Sequence, residues 1–285
     1  MLAAVIFGLA WVLSAILVRL IRAWAEHQAI LDHPNERSSH TAPTPRGGGI
    51  AIVLITLAGS AFWMTPRLAA VAAAALVIAV VSWIDDLRHL PAALRLGVQI
   101  LAALPVAIVF TPIVWVPLAL VWIVGLTNAY NFMDGIDGIA GGQAVVAGLA
   151  WAWFGMATQQ PLIATIGLLI AGSSAGFLMH NWQPARIFMG DVGSAFLGFT
   201  FASLAVMAWP NIRLVAAGVL VVWPFVADAS FTFLRRALRR ERVMEAHKSH
   251  IYQRLHQRGL SHAAVATIYI GLAAGGAAGA MLLLR

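Results

Sequence analysis

Apolar runs divide this chain into ten windows of roughly membrane-spanning length, near 2–21, 47–64, 68–84, 96–111, 113–128, 139–157, 161–179, 193–209, 213–232 and 263–284. A span needs about 20 mostly apolar residues. The breaks at Pro66, Thr111-Pro112, Gln159-Gln160-Pro161 and Trp209-Pro210-Asn211 are short and nearly uncharged. The other five linkers hold almost everything polar. The pattern predicts an all-α, polytopic membrane protein of about ten transmembrane helices, with residues 1–285 forming one integral domain.

With ten spans the linkers alternate sides. Arg67, Arg213 and Arg285 fall on one side, and the remaining fifteen of the 18 Lys and Arg fall on or near the other. Excess positive charge marks the cytoplasmic side, which places both termini in the periplasm. Composition agrees with a lipid solvent. The chain is 61% hydrophobic and 10% charged, against about 25% charged in soluble domains, and its mean hydropathy is +0.86. The first apolar run has no basic residues before it and no small-residue cleavage site after it, so it reads as a retained span and not as a signal peptide. Cysteine is absent, which excludes disulfides and thiolate metal sites. The net charge of +7 lies largely in the stretch from Arg235 to His262. A basic cytoplasmic stretch of this kind suits anionic headgroups, and no nucleic-acid partner is expected. Asp228 is the one acid well inside a span. It is either a functional group or a span-end residue paired with Arg235 or Arg236.

The five polar linkers carry the candidate chemistry. Asp85 and Asp86 end the third span, and adjacent carboxylates at a membrane boundary need a cation or a basic partner. Mg²⁺ takes one or two protein carboxylates and fills its shell with water and phosphate oxygens; the plainer alternative is a solvated cap paired with Arg88. The stretch from Asn128 through Asn131, Asp134 and Asp137 to Gly138 has two acids, two amides and two glycines, without a Lys or Arg. The linker from His180 and Asn181 to Ser194 contains Phe188, a surface on which a base could stack or a core ring. It also contains Asp191, a metal ligand or an N-cap at the start of the eighth span. His247, His250 and Arg254 fall at i, i+3 and i+7, one face of a helix. That face suits an anion clamp, with a two-histidine zinc site and a basic surface helix as rivals. Arg46 precedes three glycines, Gly47 to Gly49, that allow backbone to approach a ligand or a neighbouring helix. Acids for Mg²⁺, together with bases and glycines for phosphates on one side of a membrane, point to phosphoryl-type transfer. A transporter would place its acids near the midplane, and a CDP-alcohol phosphotransferase would have an Arg soon after Asp137-Gly138.

Four segments, TPRGGG at 44–49, the pair at 85–86, NAYNFMDGIDG at 128–138 and RIFMGDVGS at 186–194, resemble in identity and order the polyprenyl-phosphate N-acetylhexosamine-1-phosphate transferases. The resemblance covers most of residues 32–262. It implies a ten-span enzyme of the bacterial inner membrane, with its active site on the cytoplasmic side. Such an enzyme moves an N-acetylated amino-sugar-1-phosphate from a UDP-sugar to undecaprenyl phosphate and releases UMP. By resemblance Asp191 holds Mg²⁺ (Mn²⁺ being the alternative ion). Asp85 and Asp86 take part in metal binding, handling of the lipid phosphate and catalysis. Asn131, Asp134 and Asp137 line the nucleotide site, Asn181 is another site amide and Phe188 stacks on uracil; Asn128, Arg46 and Arg254 are further candidates for substrate contact. HKSHIYQ at 247–253, with His247 and His250 as catalytic candidates, departs from the triple histidine of the peptidoglycan branch. It looks closer to enzymes that initiate O-antigen or related lipopolysaccharide polymers. The identity of the sugar is open, as is the oligomeric state, a homodimer being one option.

Overall fold

The computed structural model describes residues 1–34, 42–241 and 248–284. Its helices are α1 (Leu2–His27), α2 (Gly49–Ser60), α3 (Pro66–Arg88), α4 (Ala92–Phe110), α5 (Val116–Phe132) and α6 (Ile139–Ala157). They continue as α7 (Pro161–Asn181), α8 (Asp191–Met207), α9 (Ile212–Val221), α10 (Trp223–Leu238), α11 (Ile251–Gln257) and α12 (His262–Leu283). Among the described residues the only sheet is a two-residue antiparallel pair, β1 (Leu31–Asp32) with β2 (Thr44–Pro45).

Each apolar window of the sequence falls on helix. Seven helices are long and apolar enough to cross a membrane: α1, α3, α4, α5 with the turn before it, α6, α7 and α12. The pair α9–α10 makes an eighth if counted as one span, and α2 and α8 are apolar but shorter. The expected continuous span over 213–232 is broken, with a bend of 72° between α9 and α10. Pro224, at the start of α10, has no N–H to give to the preceding turn. The Phe225 N–H turns to the Val222 carbonyl at 3.1 Å, and the carbonyl of Val221 accepts the side-chain amide of the buried Gln143 at 2.8 Å.

Local signals start several helices. Proline stands in the first turn of α3, α5, α7 and α10, where a missing N–H costs nothing. Thr65, Asn211 and Ser261 cap α3, α9 and α12 through their side chains. α6 and α7 approach closely through small residues, since a Cβ on Gly148 would lie 2.7 Å from the Gly167 carbonyl. α8 is buried along nearly all its length. It packs against α3, which carries Asp85 and Asp86, and against α5, which carries Asn128 and Asn131. This arrangement puts Asp191, the first residue of α8, at the centre of one end of the bundle.

Candidate active site

α8 begins without a cap of its own, because Gly190 precedes it and has no side chain. The first amides of a helix find no intrahelical acceptor. Here Asp86 supplies it from α3. Its Oδ1 accepts the Asp191 N–H and its Oδ2 accepts the Val192 N–H, both at 3.0 Å. Arg46 Nη1 reaches Asp86 Oδ1 at 3.3 Å, and Arg46 Nη2 reaches Asp32 Oδ1 at 2.9 Å. Burial disfavours the charge on Arg46, but Asp86 and Asp32 outweigh it and hold the guanidinium above its ordinary pKa. Gly190 has φ +78° and ψ 163°, a conformation almost confined to glycine. A Cβ there would lie 2.7 Å from Asp86 Oδ2.

Asp85 is equally buried but has different partners. Its Oδ1 accepts the Leu90 N–H and its Oδ2 accepts Arg95 Nη1, each at 2.6 Å. The same Arg95 nitrogen is 3.7 Å from Asp191 Oδ2. Arg95 thus spans two carboxylates, and Arg88, the expected partner of the pair, is exposed. The Asn131 side chain lies beside the Asp191 carboxylate. Asp191 is therefore not an N-cap. It is a first-turn acid held by its neighbours, its own N–H capped by Asp86.

The linker after α5 is laced to the linker after α7. Asp137 Oδ2 accepts the Ala185 N–H at 3.0 Å, and Asn181 Oδ1 accepts the Gly138 N–H at 3.0 Å while its amide donates to the Ile187 carbonyl at 3.0 Å. Asp137 also meets His262 Nδ1 at 3.3 Å. Asp134 sits partly buried beside these groups. Burial, then the negative charges of Asp191 and Asp86, push its carboxyl well above the usual carboxylate range. Half-buried Phe188 pairs by backbone with the segment holding Arg46, its carbonyl accepting the Gly47 and Gly48 amides at 3.1 and 2.9 Å. Gly49 N–H goes to the Met189 carbonyl, so the glycine run brings backbone against backbone. Asn128 lies one turn down α5 from Asn131 and pairs with Gln99 at 2.6 Å.

The histidine segment departs from the expected single helical face. His247 lies outside the described residues. α11 starts only at Ile251, and His250 is its N-cap in extended conformation. His250 is buried and Arg254 is exposed, so the two do not share a face. The hydroxyl of Tyr252 donates to the Phe132 carbonyl at 2.9 Å, which ties α11 to the acidic linker. Burial, with Asp134 and Asp228 nearby, keeps that phenol protonated by raising its pKa far above normal.

All five polar linkers therefore meet at one end of the bundle. Their carboxylates suit a hard cation. Asp85 and Asp191 meet at Arg95, and Asp134 lies within the field of Asp191, Asp86 and Arg46. Among the described residues no three acids or histidines form a ready-made metal cage. Arg95, Tyr252 and His262 are site residues that the sequence reading missed. Arg95 left one signal, a charge immediately before the apolar window at 96–111.

Comparison with known proteins finds relatives along most of the chain. Residues 68–209 match the model for "Glycosyl transferase family 4". The chain is 32% identical, over 92% of its length and 80% of the relative's, to a probable undecaprenyl-phosphate N-acetylglucosaminyl 1-phosphate transferase of Bacillus subtilis. This chain belongs to glycosyl transferase family 4. Two further relatives show the range. One is a decaprenyl-phosphate N-acetylglucosaminephosphotransferase of Mycobacterium tuberculosis, 30% identical over 90% of this chain and 77% of its own. The other is a phospho-N-acetylmuramoyl-pentapeptide-transferase of Synechococcus, 33% identical over 77% and 75%. The resemblance carried by the four motifs thus holds across the chain. The family match includes Asp85, Asp86, Asn128 to Asp137, Asn181, Phe188 and Asp191, and it leaves Arg46 and His250 outside.

Proposed function

We propose that this family 4 protein transfers an N-acetylated amino-sugar-1-phosphate from a UDP-sugar to undecaprenyl phosphate, releasing UMP and starting a lipid-linked O-antigen or related surface polysaccharide. The observation that carries this reading is the meeting of Asp85, Asp134 and Asp191 with Arg46 and Arg95 at one end of the bundle. What the relatives are named for, sugar-phosphate transfer to a polyprenyl phosphate, supports the same chemistry.

In this reading the chain crosses the bacterial inner membrane ten times, with α9–α10 as one broken span and α2 and α8 as short ones. The site faces the cytoplasm and both termini the periplasm, as the distribution of Lys and Arg suggests. α8, with 17 residues, is about 26 Å long at about 1.5 Å per residue, near the lower limit for a span. Asp191 and Asp85 would hold Mg²⁺, which when bound neutralises charge on the diphosphate and on departing UMP.

The chain's own groups do the rest. Asp86 and Asn131 fix Asp191. Arg46 and Arg95 hold phosphate oxygens. Asn128, Asp134, Asp137 and Asn181 shape the nucleotide pocket, with Phe188 beside the base. His250 and Arg254, with His247, serve the sugar or phosphate. An oxygen of the lipid phosphate attacks the sugar-linked phosphorus, the bond from that phosphorus to the bridging oxygen breaks, and the oxygen leaves with UMP. A phosphate monoester has its second pKa near ~6, so the acceptor is largely dianionic at neutral pH and alignment matters more than proton removal. The HKSHIYQ segment favours an amino sugar over the muramoyl-pentapeptide. The test is a panel of UDP-sugars with undecaprenyl phosphate and Mg²⁺, read by lipid mass. The expected product is a polyprenyl diphosphate amino sugar. A protein that accepts only the muramoyl-pentapeptide donor, or none, would overturn the assignment.

A further inference from the structure

One buried acid has no task in this scheme. Asp228, in α10, is 1% exposed. It pairs with neither Arg235, which donates to the Ser249 carbonyl, nor Arg236, which reaches Glu241. Its Oδ1 accepts the Ile251 N–H at 2.9 Å and the Thr232 hydroxyl at 3.2 Å, and faces His250 Nδ1 at 3.2 Å. Its Oδ2 accepts the Tyr252 N–H at 3.0 Å and the Tyr269 hydroxyl at 2.6 Å.

Ile251 and Tyr252 are the first two residues of α11, so their amides lack intrahelical acceptors. Asp228 is therefore a remote cap for α11, as Asp86 is for α8. The parallel extends to what is capped, because each carboxylate serves a helix that opens on a candidate site residue, Asp191 in one case and His250 in the other. The His250 side chain also meets the Gln253 N–H in a capping box, so Nδ1 lies between that donor and the Asp228 carboxylate and the tautomer sets which of the two it bonds. Nδ1 thus faces inward, toward Asp228 and the first turn of α11. Tyr252 anchors the same helix to the Phe132 carbonyl, and the His250 ring stands 6.2 Å from the Phe132 ring. Asp228 joins α10, α11 and, through Tyr269, α12 at the point where His250 meets the acidic linker.

We infer that Asp228 is a positioning residue for the transfer reaction, acting through His250 by fixing the start of α11 and the inward face of the imidazole. This rests on the transferase reading above, with His250 in its site. A buried acid with a purely architectural role would affect folded yield whatever occupies position 250. A positioning role disappears when the imidazole is gone.

The experiment is a double-mutant cycle on the full-length protein reconstituted in lipid, with UMP release from a UDP-sugar as readout. The variants are Asp228→Asn, His250→Gln and the pair. Asp228→Asn is expected to lower kcat by roughly 10–100-fold, the usual effect of losing a group that orients a functional one, while KM for the UDP-sugar changes less than about threefold. In the His250→Gln background the same change is expected to have almost no further effect, because the two act as one unit. Tyr269→Phe keeps the carboxylate and both capped amides and removes one hydrogen bond. It is the second variant should Asp228→Asn not fold. Its expected loss is about 3–10-fold, again absent without His250. Equal losses with and without the imidazole overturn the inference and leave the transferase reading standing, as does a His250→Gln protein that is fully active. A wild-type protein that releases no UMP overturns the transferase reading and this inference with it.

Discussion

Replacing Asp86 by Asn keeps the size of the side chain and removes half of its function. Asp86 accepts two amides at the head of α8, those of Asp191 and Val192, on separate oxygens, and Arg46 on one of them. Asn has one acceptor oxygen, and its NH₂ would face an N–H or the guanidinium. At least one charge-assisted hydrogen bond is lost, worth about 1.5–3 kcal/mol. The interaction of a full negative charge with the helix N-terminus is lost as well, about 0.3–1 kcal/mol. If about 2 kcal/mol of this falls on the placement of Asp191, the Mg²⁺ concentration for half-maximal activity should rise roughly 30-fold, at about 1.4 kcal/mol per factor of ten. That lies within the 10–100-fold typical of groups behind a metal ligand. The assay is a Mg²⁺ titration of UMP release by purified wild type and Asp86→Asn. Half-saturation within twofold of wild type, at undiminished maximal rate, would refute the role given to Asp86.

Other consequences follow from the same contacts. Gly190→Ala forces a Cβ toward Asp86 Oδ2 in a backbone conformation that costs a side-chain-bearing residue about 1–3 kcal/mol; it should lower thermal stability in detergent and raise the Mg²⁺ concentration for half-maximal activity as Asp86→Asn does. Arg95→Ala removes the 2.6 Å bond to Asp85 and should reduce turnover roughly 10–100-fold. Arg95→Lys, which keeps the positive charge but on a flexible ammonium without the planar guanidinium, should fall between Ala and wild type in the same assay. Tyr252→Phe leaves the Phe132 carbonyl without its donor and should cost about 1–2 kcal/mol in thermal or denaturant unfolding.

Much of the fold was legible because hydropathy is a local property. Every apolar window lies on helix, and the polar linkers that looked like one site do meet. The interruption at Val222 escaped notice because the window around it averages as apolar, and a single Pro224 with a distant Gln143 decides the bend. The helix starts divide along the same line. Thr65, Asn211 and Ser261 cap their own helices and could be read from neighbouring residues. α8 and α11 are capped by Asp86 and Asp228, acids that lie far from them in the chain, so no short-range pattern shows the pairing. For the same reason Asp85 and Asp86 looked equivalent as neighbours, although one turns to Arg95 and the other to the head of α8. The predicted face of His247, His250 and Arg254 assumed a helix through all three. α11 begins one residue after His250, where the Asp228 carboxylate meets its first amides.

The central claim is that phosphorus moves with the sugar. Purified protein with a UDP-N-acetylamino sugar labelled with ³²P at its β-phosphate, undecaprenyl phosphate and Mg²⁺ tests it directly. The account predicts label in the lipid fraction, stoichiometric with unlabelled UMP. A glycolipid formed while the label stays in UDP, or no labelled lipid with any UDP-amino sugar, would contradict it.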